Sequence, residues 1–167
     1  MRTRQGLVWL LGVAMVALYA APVSAGVGSY FRGGLTDLEV GVERVTDGAW
    51  AVASATVQNG KTIVQLNVKD LGGGVGDTFG AHVHVGPCVV DAGGLAGPHF
   101  NAGGGISAET EVWLDFTVTP GGTGHATAVV PFEIDSGLAQ SVVIHEAPTD
   151  ASTGAAGARM ACLPLEF

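Results

Sequence analysis

Short segments in which apolar and polar residues alternate recur along the chain, and a two-residue period predicts β-strands with one face in a core. The segments predicted as strands are residues 35–45, 50–57, 61–68, 79–85, 112–118, 126–132 and 141–144. After residue 25, no segment has the 3.6-residue period of a long helix. Strands this short, separated by glycine, asparagine and proline turns, predict an all-β fold, an antiparallel Greek-key β-barrel or sandwich.

Two of the predicted strands form a hairpin. An Asn-Gly pair at 59–60 separates residues 50–57 from residues 61–68, and this dipeptide is preferred in tight hairpin turns. Within the second strand, the spacing of Ile63 and Leu66 breaks the two-residue period. The sequence therefore predicts a hairpin whose second strand has a bulge or a shift in phase.

Two glycine-containing loops, at 86–110 and 146–161, are longer than simple connections between strands. Loops of this length are usually functional or disordered. Residues 26–34 show little pattern, and no strand is predicted there.

Residues 1–25 have the composition of an export signal. Arg2 and Arg4 precede an apolar run, and a small-x-small cleavage pattern ends at Ala25. A retained membrane anchor is the alternative, but the run is shorter than the roughly 20 residues that span a bilayer. The sequence predicts a signal peptide followed by a secreted or periplasmic domain at 26–167, without membrane contact after cleavage.

Removal of the signal peptide leaves an acidic protein. The mature chain keeps 7 − 2 = 5 basic residues against 15 acidic ones, a net charge of −10. Binding to nucleic acid is disfavoured, because contacts to phosphates need a basic surface. The acidity is instead typical of a protein that must stay soluble outside the cell.

The only two cysteines are Cys88 and Cys162. An even number of cysteines in an exported chain predicts a disulfide. This bond would tie the C-terminal end of the chain to the segment that is richest in histidine.

Four of the five histidines are candidate metal ligands. His82 and His84 are two residues apart in a predicted strand, so they project from the same face. His99 follows in the first long loop, and His145 comes directly after the strand predicted at 141–144. Neutral imidazole binds copper, zinc, iron and nickel, but spacing alone does not name the metal. A lone His-x-His pair is also common where no metal binds.

The segments around these histidines are more specific. They are HVHVGPC at 82–88, AGPHFN at 96–101, VVIHEAP at 142–148 and GARMACLPLEF at 157–167. In this order they resemble the four copper-site segments of the copper/zinc superoxide dismutase family, whose fold is a β-sandwich. The resemblance extends weakly from about residue 35 to the C-terminus. It implies a copper cofactor and the conversion of superoxide anion to oxygen and hydrogen peroxide.

The resemblance also implies roles for single residues. It makes the copper ligands His82, His84, His99 and His145. His99 occupies the position that bridges copper to zinc, and it would carry a proton during the cycle. Arg159 matches the arginine that guides and holds superoxide, and is one of the five basic residues left after cleavage. Cys88 and Cys162 match the family's disulfide, which anchors the loop bearing His99.

The chain departs from the family at the zinc site. The family completes this site with two further histidines and an aspartate, but residues 101–111 contain no histidine. An ungapped alignment places Glu111 at the last zinc histidine and Leu114 at the zinc aspartate. His125 lies in a glycine-rich segment, read as a turn, and is expected to be exposed. We therefore expect copper without a dedicated zinc site.

The loop before the arginine also departs from the family. His145 and Arg159 are 159 − 145 = 14 positions apart, which is short for the family, and no lysine lies between them. The basic residues that steer superoxide are thus missing. Both departures resemble the copper-only branch of the family, which occurs among exported microbial proteins.

Without zinc, another group must hold the far ring nitrogen of His99. Glu111, or less favourably Glu109, is the candidate, because an outer carboxylate fixes the tautomer and orientation of a ligand. An ordinary solvated glutamate is the alternative for either position. Two other functions also stay open: a non-enzymatic protein that buffers or delivers copper, and a metal-free structural β-domain.

Overall fold

A computed structural model describes residues 27–134 and 137–165 of the chain. The predicted signal peptide lies outside the described residues. Among those that are described, no helix is long and apolar enough to cross a membrane.

The described chain is almost entirely β-structure, as the sequence predicts. Its strands are β1 (Val27–Gly34), β2 (Thr36–Asp37), β3 (Trp50–Gln58), β4 (Lys61–Lys69), β5 (Thr78–Phe79), β6 (Ala81–His84), β7 (Phe116–Thr117), β8 (Gly124–Val130), β9 (Ser141–His145) and β10 (Arg159–Pro164). Two short 3₁₀ helices, Gly72–Gly74 and Gly93–Ala96, lie in the loops.

The strands form two four-stranded sheets and one small ribbon. The first sheet has the order β1-β3-β4-β8, the second has the order β2-β10-β9-β6, and β5 pairs with β7. All paired strands are antiparallel. Apolar side chains of both large sheets meet in one core, which includes Leu66 of β4 and Ile144 of β9. Within the described residues the sheets do not close into a barrel, so of the two predicted architectures the sandwich fits.

The hairpin of β3 and β4 is confirmed, but the predicted bulge is wrong. The register runs unbroken from Gln58 opposite Lys61 to Trp50 opposite Lys69. The inward position is taken by Thr62, which is fully buried and donates its hydroxyl to the Phe132 carbonyl at 2.8 Å. Burial along β4 therefore alternates with a two-residue period. The period is not visible in the sequence because one of the buried residues, Thr62, is polar and has its hydroxyl satisfied by a hydrogen bond.

The strand predicted at 35–45 is wrong. Only Thr36 and Asp37 pair with β10, and the chain then turns repeatedly as far as residue 49. Val40 and Val42 stay exposed, at 54% and 45%. Gly41 has a φ of +86°, a left-handed conformation that interrupts an extended strand.

Two other predicted strands need correction at their boundaries. The segment 79–85 is divided between β5 and β6, and 112–118 contains only the two-residue β7. Burial along that second segment nevertheless alternates as predicted, with Val112, Leu114 and Phe116 inside. Two strands, β1 and β10, were not predicted at all.

The strands nearest the histidines are buried on both faces. Every residue of β6 and of β9 is buried, although each strand carries histidine. Loops must therefore cover the outer face of this sheet, and the predicted disulfide holds one of them. Cys88, just after β6, is bonded to Cys162 of β10, with Cα atoms 5.8 Å apart.

We predict that loss of this disulfide lowers the free energy of unfolding by about 4 kcal/mol, because the bond closes a long loop in the unfolded chain. Oxidised and reduced mature protein, and a Cys88→Ala/Cys162→Ala variant, should be compared by urea unfolding. A change below about 1 kcal/mol in both comparisons would show that the bond contributes little.

Candidate metal centre

Neighbouring segments bring the four candidate ligands together. His82 and His84 lie on one face of β6, while Ala81 and Val83, which alternate with them along the strand, point into the core. His145 ends β9, and its backbone N–H bonds to the Gly80 carbonyl at 2.8 Å. His99 lies opposite His84 in an isolated antiparallel bridge.

The four rings converge on one point. One nitrogen from each of His82, His84, His99 and His145 lies within 4.8 Å of the others. His82 and His84 are fully buried and His145 is 4% exposed, whereas the His99 side chain is 18% exposed. His99 is thus the ring on the solvent side of the cluster.

Hydrogen bonds on the outer side fix the protons of three rings. Nδ1–H of His84 donates to the Gly97 carbonyl at 3.0 Å, and Nδ1–H of His145 donates to the Gly157 carbonyl at 3.3 Å. Nδ1–H of His99 donates to Glu111 Oε2 at 2.8 Å. Carbonyl and carboxylate oxygens only accept, so a neutral ring must leave its Nε2 unprotonated.

The fourth ring has the opposite orientation. Nε2 of His82 lies 2.7 Å from the Thr149 hydroxyl, while its buried Nδ1 has no hydrogen-bond partner within the described part of the chain. Burying a polar atom without a partner costs free energy. The position of His82 Nδ1 therefore indicates that a bound group satisfies this atom.

The inner nitrogens fit a cation. His84 Nε2 and His145 Nε2 are 3.3 Å apart, and with both protons on the outer side their lone pairs face each other. A metal ion at the centre would turn this repulsion into coordination and would satisfy His82 Nδ1. Four imidazole nitrogens are a donor set suited to a borderline transition metal.

Burial keeps three rings in the neutral form that binds metal. Desolvation lowers the pKa of His82 from 6.5 to about 2, of His84 to about 3 and of His145 to about 4. A positive charge on His99 would lower these three pKa values further, while the carbonyls of Gly97 and Gly157 raise the pKa of His84 and of His145 respectively.

Glu111 holds His99 from outside. Its buried carboxylate accepts the His99 bond and also bonds from Trp113 Nε1 at 2.8 Å and Asn101 Nδ2 at 3.1 Å. The contact between Glu111 and His99 that the sequence predicts is therefore present, whereas Glu109 is exposed. Leu114, aligned with the family's zinc aspartate, fills the core.

Arg159 is the first residue of β10 and lies opposite His145 in the register. A bulge produces this pairing, because an unbroken register would place Met160 there. The Arg159 guanidinium donates to the Gly93 carbonyl at 2.8 Å, and its charge lowers the pKa of His84 and His145. Gly93 belongs to the loop that Cys88 anchors.

Three residues around the cluster, Trp113, Asp115 and Thr149, are not predicted from the sequence. Trp113 bonds to Glu111, and Asp115 accepts the hydroxyl of Thr149. Trp113 and Asp115 occupy the polar phase of an alternating segment, which places both on one side of it. Nothing in the sequence singles out Thr149. His125 is exposed as predicted, but it lies in β8, where Nδ1 is 2.8 Å from Asn67 Oδ1.

No protein-family model matches this chain, and no curated protein is similar enough to it to be identified as a relative. The interpretation of the histidine cluster therefore rests on the four motifs and on the geometry described above.

We predict that the metal-free protein loses stability as the pH falls below 6.5. Unfolded histidines take up protons near pH 6.5, whereas the folded rings of His82, His84 and His145 resist protonation to about pH 4 or below. The unfolded state then binds more protons, so the free energy of unfolding falls by up to about 1.4 kcal/mol per pH unit for each ring.

Urea unfolding of metal-free, oxidised protein between pH 7 and 5 measures this slope. A His125→Asn variant is the control, because it removes an exposed histidine that lies outside the cluster. A flat profile across this range would contradict the buried, neutral state of the three rings.

We predict that Glu111→Ala weakens retention of an added transition-metal ion, probed with Cu²⁺, about 10- to 100-fold at neutral pH, because His99 loses the acceptor that fixes its proton and orientation. Competition with a chelator measures retention, and circular dichroism checks the fold. Glu109→Ala removes an exposed carboxylate of the same loop and should behave as wild type. Equal retention by all three proteins would remove Glu111 from the site.

Proposed function

We propose that this chain is an exported, copper-dependent superoxide dismutase. One observation carries the proposal: four histidine nitrogens with their lone pairs turned inward lie next to a permanently charged arginine that is held by the backbone. The first feature supports a transition-metal site, and the second supports an anionic substrate. The disulfide agrees with an oxidising compartment outside the cytosol.

Copper is the metal that this donor set favours. Among divalent first-row ions, nitrogen sites bind Cu²⁺ most tightly, and the four segments resemble copper-site segments. Bound copper would supply the one-electron chemistry, oxidising one superoxide to oxygen and reducing a second, which takes two protons to become hydrogen peroxide.

Arg159 is assigned to the substrate anion. Its guanidinium carries five N–H donors, of which Nη1 already bonds to Gly93, and the planar group suits charge-assisted bonds to an oxyanion. Its fixed charge also supplies a local positive potential on a protein whose mature net charge is −10.

His99 is assigned to proton transfer. It is the most exposed of the four rings, and Glu111 holds the proton on Nδ1, so the inward Nε2 is the atom that exchanges a proton during the cycle. His82, His84 and His145 are buried and would hold the metal throughout.

A non-enzymatic copper-binding protein is the second candidate. The loop between His145 and Arg159 contains the acidic residues Glu146 and Asp150 and no lysine. Nearby Arg44 does not replace the missing steering charge, because its guanidinium is bonded to Glu39 and Glu146. This surface favours copper storage or delivery, whereas Arg159 favours turnover, since storage needs no anion site.

We predict that the oxidised mature chain takes up one copper ion and disproportionates superoxide, and that Arg159→Ala lowers turnover about 10- to 100-fold. This range corresponds to the roughly 1.5–3 kcal/mol of a hydrogen bond to a charged group. Copper retention should not change, because Arg159 is not a ligand. Metal analysis and a superoxide assay on copper-loaded protein provide the two readouts.

Arg32→Ala is the matched control, because it removes the same charge from an exposed position on β1. Tight copper with negligible wild-type turnover would support the binding protein instead. If the wild type does not take up copper, the remaining interpretation is a metal-free structural β-domain.

A further inference from the structure

Thr149 links His82 to a carboxylate. Its hydroxyl lies 2.7 Å from His82 Nε2 and 2.6 Å from Asp115 Oδ1. The three groups form a chain from the metal-binding ring, through the loop after β9, to the segment that precedes β7.

The directions of these bonds follow from the number of protons available. The Thr149 hydroxyl donates to Asp115 Oδ1, so its single proton points to that oxygen. The Thr149 oxygen can then only accept from His82, which requires a proton on Nε2. A neutral ring with a proton on Nε2 has its lone pair on Nδ1, the atom that is buried without a described partner.

Thr149 is itself held in place. Its backbone N–H donates to Asp115 Oδ2 at 2.8 Å, so both carboxylate oxygens bind the same residue. Earlier in the same loop, Ala147 accepts a bond from Gly80 N–H at 2.8 Å. A Cβ at Gly80 would lie 2.6 Å from Ala156 Cβ, which shows how closely this loop packs against the start of β6.

We propose that Thr149 is a positioning residue that selects the tautomer of His82 able to bind metal through Nδ1, and that Asp115 orients its hydroxyl. The inference rests on the metal site of the proposed function. It explains why one ring of the cluster presents Nδ1 while the other three present Nε2: the acceptor for His82 lies beyond Nε2, and the other acceptors lie beyond Nδ1.

The test removes the Thr149 hydroxyl but keeps the hydrogen bond from the Thr149 backbone N–H to Asp115 Oδ2. Thr149→Val has nearly the same shape and keeps the N–H bond to Asp115, but it leaves His82 Nε2–H without an acceptor. Thr149→Ser restores the hydroxyl. Thr153→Val is the matched control, because it removes an exposed threonine hydroxyl from the same loop.

Two readouts do not depend on superoxide turnover. Chelator competition should give about 10- to 100-fold weaker copper binding for Thr149→Val, with an altered Cu²⁺ electron paramagnetic resonance spectrum. Thr149→Ser and Thr153→Val should match the wild type in both. In metal-free wild-type protein, long-range ¹H–¹⁵N NMR of the imidazoles should place the His82 proton on Nε2.

A His82 proton on Nδ1 in the wild type would overturn the inference, whether or not copper binds. Unchanged copper affinity and spectrum in Thr149→Val would overturn it as well. If the wild type binds copper but does not turn over superoxide, the proposed activity fails. The copper affinity of Thr149→Val and the tautomer of His82 then still decide the role of Thr149.

Discussion

The centre depends on one constraint: each of four histidines that converge on one point must carry its proton on the outer side of the ring. A neutral imidazole has one proton and one lone pair, so the acceptor beyond the ring decides what the ring presents inside. Here those acceptors are the carbonyls of Gly97 and Gly157, the Glu111 carboxylate and the Thr149 hydroxyl. None of the four belongs to the strand that carries its histidine. The loops are therefore part of the candidate metal site, although only one of its four histidines, His99, lies in a loop.

Loops must come very close to β6 to supply these acceptors. Gly86, just after the strand, has no room for a side chain, because a Cβ there would lie 2.1 Å from the Leu95 carbonyl. Gly80, just before it, is closed off in the same way by the loop after β9. The disulfide adds a covalent tie between the first of these loops and β10. Absent side chains and one covalent bond thus bring the loops against β6, so that His82 and His84 are fully buried.

The sequence predicts the fold class, the hairpin, the disulfide and the grouping of the histidines, because each has a local signal. Alternation, an Asn-Gly turn and four motifs in a fixed order can all be read without tertiary structure. The strand predicted at 35–45 fails because Val40 and Val42 fit the period but stay exposed beside a left-handed glycine. β1 is missed because its extended conformation comes from pairing with β3 and not from its own composition. Thr149 and Asp115 are 34 residues apart, and only the folded loop brings them together.

The bulge at Met160 decides which residue of β10 lies opposite His145. The extra residue shifts the end of β10 by one position, so that a cation replaces a thioether opposite His145. In the unbroken register the same sequence would still hold all four ligands, the disulfide and the arginine. Under the proposed function, the position of the arginine assigned to the anion thus depends on one extra residue of strand register. Two proteins with identical motif residues could differ in function at this point, and a comparison of residue types alone would not reveal it.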